Sequence, residues 1–332
     1  MGTCREIAAR LMTHGKGILA ADESIATMST RLDKAGVEPT EEKRRAYREM
    51  LVTTPGLADG VSGIILCDET LNQRFGDGTP FPQAINSLGM LPGIKVDTGA
   101  KPCPGLPGEK VTEGLDGLAA RLVHYAEIGA AFAKWRAVFT ITDTTPTVGA
   151  IGANANALAR YAAACQEAGL VPIVEPEVLM DGDHNRGRCA DVTGDVHDAI
   201  RSELKLLNVD LAGIVLKPNM ILEGDDHPRR SAPEQVADAT VRVLRAWPGE
   251  LAGVAFLSGG QSPERATANL EALQQYPTPW PLTFSFGRAL VSPALEAWHG
   301  DPNRITDGQA ALAQRVAANS AALGQRHALR SA

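Results

Sequence analysis

The stretch AGIVLKPN, residues 212–219, sets the reading of the whole chain. Ile214, Val215 and Leu216 form an apolar run suited to a strand covered on both faces. Lys217 follows, and Pro218 then removes the N–H that another ladder rung would need. A lysine is seldom fully buried unless it is paired or reacts. The stretch therefore reads as a buried strand that delivers an amine at its C-terminal end.

Seven more apolar segments share this character. Strands are predicted over 17–22, 61–67, 93–97, 132–140, 170–175, 211–217, 252–258 and 281–286, and helical stretches separate them. Thr40 caps TEEKRRAYREML, and Asn154 caps NANALARYAAACQEA, which Gly169 ends. Ser231 and Glu234 have capping-box spacing, Ser262–Pro263 opens another helix, and Asp307 caps a last one that Gly324 closes. Eight alternations predict a single (β/α)8 TIM barrel over residues 1–332, with an N-terminal helix and a short tail from about 325. A doubly wound sheet is the structural rival, but no GxGxxG follows the first strand. Residues 98–116, rich in Gly and Pro, read as a loop after the third strand.

Composition narrows the function. With 44% hydrophobic and 21% charged residues, 332 residues can bury one large core. The net charge of −7 argues against general nucleic-acid binding. No apolar run reaches about 18 residues, so no membrane span is expected. The five cysteines lack a CxxC pair and the N-terminus lacks a signal-like apolar run, which points to free thiols and a cytoplasmic location.

The C-terminal strand ends carry the chemistry, where barrels keep their active sites. They supply Asp22, Lys95 and Asp97, Lys134 and Arg136, Glu175 and Glu177, Lys217, Ser258-Gly259-Gly260, and Gly287-Arg288. Residues two apart on a strand share a face, so Lys134 with Arg136, and Glu175 with Glu177, can point inward together. Any one of these alone is a solvated rim residue or a turn; their convergence at one mouth makes a mechanism. Lys217 is the candidate nucleophile toward a ketone or aldehyde. Only its neutral amine can attack, a form that apolar walls and the nearby cation Lys134 favour. Glu175, Glu177 and Asp22 can move protons. The glycine-rich loops after strands seven and eight, with Arg288, suit a phosphate. Lys95, Ser24 and Arg31 suit a second one, so the substrate is expected to carry a phosphate at each end. The competing reading is a cation held by Asp181, Asp183 and His184 in the loop DGDHNR, although no HExxH or tight His/Cys cluster is present.

Eight segments then carry a resemblance: GKGILAADES (15–24), PFPQ (80–83), GIKVD (93–97), AKWR (133–136), VPIVEPE (171–177), LKPNM (216–220), LSGGQS (257–262) and SFGRAL (285–290). In these, in order, the chain resembles class I fructose-bisphosphate aldolase over nearly its full length. The resemblance implies a (β/α)8 fold, no metal and no cofactor beyond the covalent Schiff base. It implies reversible cleavage of fructose 1,6-bisphosphate to dihydroxyacetone phosphate and glyceraldehyde 3-phosphate, in glycolysis and gluconeogenesis. By motif, Lys217 would form the Schiff base, Glu175 and Glu177 would act as acid/base groups, and Asp22 would take the hydroxyl proton at carbon–carbon cleavage. Lys134 would position the carboxylates. Ser24, Thr27, Arg31, Lys95 and Arg136 would face the 6-phosphate side, and Ser258, Gly259, Ser285, Gly287 and Arg288 the 1-phosphate side. A homo-oligomer, a tetramer by resemblance, is expected.

The chain departs from the family at three places. Thr27 stands where the family often has serine, and Thr98 where it often has a second lysine. The family's tail often ends in a tyrosine that helps exchange the enamine proton, but here the last tyrosine is Tyr276 and the chain ends QRHALRSA. Two other readings stay open: an aldolase for another phosphorylated ketose, such as fructose 1-phosphate or sedoheptulose bisphosphate, and a barrel kept as a binding protein.

Overall fold

A computed structural model describes residues 2–324; the expected short tail lies outside the described residues. Eight parallel strands close a barrel: β1 (Gly17–Ala21), β2 (Val61–Leu66), β3 (Leu91–Lys95), β4 (Phe132–Phe139), β5 (Val171–Val178), β6 (Val215–Leu216), β7 (Gly253–Phe256) and β8 (Leu282–Phe286). Each pairs with its neighbour in the chain, and β8 pairs with β1. Helices fill the connections, so the architecture is the expected (β/α)8 barrel.

The two-residue period of a strand decides what each face holds. On β4, Ala133, Trp135, Ala137 and Phe139 pack outward among the helices. Phe132 packs in the barrel interior, and Lys134, Arg136 and Val138 line its cavity. On β5 the inward series is Val171, Ile173, Glu175, Glu177. Inward positions thus begin apolar and end charged. The apolar floor is completed by the helix Cys4–Leu11, whose Ile7, Ala8 and Leu11 join Ile18, Ile65, Leu91, Phe132, Ile173 and Val215 in one buried cluster. Thr3 and Glu6 form a capping box that starts this helix. Gly93 has its place for a packing reason: a Cβ there would lie 2.2 Å from the Phe132 ring. The charged layer therefore rests on a dry floor, where charge–charge interactions are strong.

Four local expectations need correction. Residues 98–116 contain an antiparallel hairpin, Gly99–Pro102 with Lys110–Glu113. Asn154 does not cap a helix. The helix Val148–Glu167 starts earlier, at Thr147, and Asn154 lies inside it, fully buried. Its amide accepts from Thr112 N at 3.1 Å and donates to Lys110 O at 2.9 Å. The hairpin is thus fastened by a residue 42 to 44 positions away, which local composition cannot reveal. The helix Pro233–Leu244 is capped at Ala232, whose N–H is taken by Gln235 at 3.1 Å. Ser231 gives its own N–H to Glu223, and Glu234 closes no capping box. The last helix, Ile305–Gly324, follows a 3-10 turn capped by Asp301, which leaves Asp307 within its first turn. Thr40 and Ser262 cap their helices as expected.

Candidate active site

Strand β6 holds only two residues in the ladder. Lys217 N still donates to Val174 O at 2.8 Å, so the lysine leaves the sheet level with Glu175. Pro218 then ends the ladder, and the Asn219 side chain takes over its work. Asn219 Oδ1 accepts from Val178 N at 3.0 Å and its Nδ2 donates to Met220 O at 3.1 Å. The upper end of β5, which carries Glu175 and Glu177, is thereby tied to the loop that carries Lys217.

Lys217 Nζ lies 3.2 Å from Glu175 Oε1. The other oxygen, Glu175 Oε2, lies 3.0 Å from Lys134 Nζ, which lies 2.7 Å from Asp22 Oδ2. Lys134, Glu175 and Lys217 are each 3–4% exposed, so two cations and two carboxylates share one buried chain. Burial alone would raise the Asp22 carboxyl, but Lys134, Lys217 and Lys95 outweigh it and hold Asp22 far below the carboxylate range. Glu175 is lowered in the same way: burial opposes, and Lys134, Lys217 and Arg136 prevail. For Lys134, burial disfavours the charge, but Asp22, Glu175 and Asp97 raise its pKa well above that of a free lysine. The resting site thus holds ionised Asp22 and Glu175 around a fixed ammonium.

Apart from Gly260 and the DGDHNR residues, the site residues singled out from the sequence line one cavity of about 410 Å³ at the C-terminal mouth. On one side, Arg136 Nε bonds Glu177, Lys95 Nζ lies 2.6 Å from Asp97 Oδ1, and Arg31 bonds Glu23. Ser24 caps the helix Ile25–Lys34, and its Oγ lies 3.0 Å from Thr27 Oγ1, so two hydroxyls sit together at the rim. On the other side, Gly259 and Gly260 adopt positive φ in the turn after β7. Gly287 caps the helix Arg288–Trp298, whose first N–H groups suit an anion. Among the described residues, the buried Ser285 Oγ has no hydrogen-bond partner and Arg288 has no ion pair.

Sequence reasoning passed over Glu23, although it stands inside the motif ADES. It also passed over the lining residues Gly99 and Ala100, which the unforeseen hairpin contributes. Asp97 ties that hairpin to the site: it accepts from Gly99 N and Arg136 N, each at 3.2 Å. The DGDHNR loop lies elsewhere. Its backbone is stitched to residues 224–226, with Asp225 N donating to Met180 O at 2.6 Å and Asp226 N to Gly182 O at 2.9 Å. Among the described residues, no three His, Cys, Asp or Glu side chains converge as metal ligands.

Known proteins share this arrangement of chain. The family model described as fructose-bisphosphate aldolase class-I matches residues 3–331. The chain is 51% identical to Arabidopsis thaliana "Fructose-bisphosphate aldolase 6, cytosolic", covering 95% of this chain and 88% of the relative. It is 50% identical to Gallus gallus fructose-bisphosphate aldolase B, covering 96% and 88%. A solved fructose-bisphosphate aldolase from Plasmodium falciparum, in complex with TRAP and an inhibitor, superposes with a TM-score of 0.95 at 44% identity, covering 96% of this chain and 93% of that one. A match of this extent in both sequence and fold settles the family: the chain belongs to the class I fructose-bisphosphate aldolases, which are carbon–carbon lyases.

Proposed function

We propose that the enzyme cleaves fructose 1,6-bisphosphate reversibly through an imine on Lys217, without a metal. The observation that carries this reading is Glu175 suspended between Lys217 and Lys134. Glu175 Oε1 is placed to take a proton from Lys217, and Lys134 keeps the opposite oxygen in position. The neutral amine adds to the C2 carbonyl. Protonated Glu175 then returns its proton to the departing hydroxyl, water leaves, and an iminium remains. Asp22, held as a carboxylate, takes the C4 hydroxyl proton. The C3–C4 bond breaks, its electron pair enters the iminium to give an enamine, and glyceraldehyde 3-phosphate leaves. Protonation at C3 and hydrolysis release dihydroxyacetone phosphate and restore Lys217. The iminium is the electron sink, which is the task a Lewis-acid metal would otherwise perform.

Reduction with borohydride in the presence of dihydroxyacetone phosphate and a chelator tests this. A secondary amine mapped to Lys217 is expected. An unmodified Lys217, or cleavage that stops with the chelator, overturns the proposal.

One asymmetry favours a second substrate. Arg31, Lys95 and Arg136 are each paired with a carboxylate, whereas Arg288 has no ion pair among the described residues. The 1-phosphate side therefore offers more uncommitted positive charge, which supports cleavage of fructose 1-phosphate as well. The ratio of kcat/KM on the two sugars measures this.

We further infer a cytoplasmic homo-oligomer, a tetramer by the family resemblance, working in glycolysis and gluconeogenesis. Five free cysteines support the compartment, and sedimentation equilibrium tests the assembly.

A further inference from the structure

Strand β1 leaves the ladder at Ala21, where it pairs with Leu66 of β2, so Asp22 lies one residue beyond the last rung. The backbone on both sides of Asp22 is gripped by a side chain from elsewhere. Arg48, on the helix Glu41–Val52, is 0% exposed. Its Nε donates to Ala21 O at 3.0 Å and its Nη2 to Glu23 O at 3.0 Å. Nη2 also reaches Glu23 Oε2 at 3.2 Å, and the other oxygen of Glu23 holds Arg31 at the cavity wall. A fully buried guanidinium is costly unless its bonds offset the desolvation, and here the bonds fall on the two residues that flank Asp22.

We propose that Arg48 is a positioning residue for carbon–carbon cleavage: it fixes the backbone on either side of Asp22 and, through Glu23, the direction of Arg31. Arg48 touches neither substrate nor any reacting atom. It holds the Asp22 carboxylate where the C4 hydroxyl proton must be taken, a placement in which a shift of about 1 Å can cost on the order of a hundredfold in rate. This rests on the role proposed above for Asp22.

The test compares Arg48→Lys, Asp22→Asn and the double variant, each in two assays. One is kcat for cleavage of fructose 1,6-bisphosphate. The other is the rate of borohydride trapping of dihydroxyacetone phosphate on Lys217, a step that does not use Asp22. Lysine can still bond one of the two carbonyls and keeps the charge facing Glu23; Arg48→Gln serves as a second variant if it fails to fold. The expected result for Arg48→Lys is a loss of about tenfold to a hundredfold in kcat with trapping unchanged within about twofold. In the Asp22→Asn background, the same change should cost less than about twofold, because the two residues act on one step. Trapping that falls in proportion to kcat would reduce Arg48 to a structural residue and overturn the proposal. Full activity in Arg48→Lys beside a crippled Asp22→Asn overturns the positioning role alone. Full activity in Asp22→Asn instead overturns the reading of Asp22, on which the positioning role depends.

Discussion

Lys134 and Asp22 meet at 2.7 Å although they come from β4 and the end of β1, three strands apart around the barrel. The contact exists because both side chains point at the axis from the layer just above the apolar floor. Among the described residues it leaves Lys134 as the only group paired with both Asp22 and Glu175.

Replacing Lys134 by methionine should therefore change acidity as well as rate. Without the ammonium, burial raises both carboxyl groups, so each is protonated at a higher pH. The acid limb of the kcat profile is expected to move to higher pH, with kcat falling about a hundredfold. Asp22 also loses its ion-pair partner and Glu175 one of its two, which should cost about 3–5 kcal/mol in urea unfolding. An unmoved acid limb would show that Lys134 does not set these pKa values.

Arg288→Gln and Arg31→Gln should divide the two substrates. Loss of Arg288 should raise KM for both fructose 1,6-bisphosphate and fructose 1-phosphate by about tenfold or more, the worth of a charged hydrogen bond. Loss of Arg31, already shared with Glu23, should raise KM only for the bisphosphate, by about threefold to tenfold. Initial-rate kinetics on both sugars checks this, and equal effects of Arg31→Gln on the two would contradict it.

Asn154→Leu should release the hairpin from the rim. The change removes bonds to Thr112 N and Lys110 O and leaves those backbone groups unpaired, at about 1–3 kcal/mol each. Faster proteolysis within residues 103–108 is expected, with Lys217 still trapped by borohydride. Unchanged cleavage in this loop would mean that Asn154 does not anchor it.

His197 should weaken the fold in mild acid. It is buried, and Trp247 Nε1 donates to its Nδ1 at 3.2 Å. Burial first, then Arg201, pushes its pKa down to about 3. The native state keeps the ring neutral while the unfolded chain takes up a proton below about pH 6.5, so stability falls as pH drops from 6.5 toward 3. The loss from this group is roughly 1.5 kcal/mol between pH 6.5 and 5. Urea unfolding at the two pH values should show His197→Gln losing less than the parent by about that amount.

The barrel and the material of its mouth were legible along the chain. Apolar runs such as Ile214–Leu216 cannot rest in water, and eight of them alternating with helices have few ways to bury both faces. The two-residue period then dictated that Lys134 with Arg136, and Glu175 with Glu177, share the inward face. How these groups pair came from barrel closure. Lys134 bridges Asp22 to Glu175, and Arg31, Lys95 and Arg136 are already matched by Glu23, Asp97 and Glu177. Asn154 and Arg48 escaped a reading of neighbours along the chain, because what they hold lies 25 or more positions away. Local periodicity reports which face a residue takes; which groups meet across that face depends on the closure of the barrel.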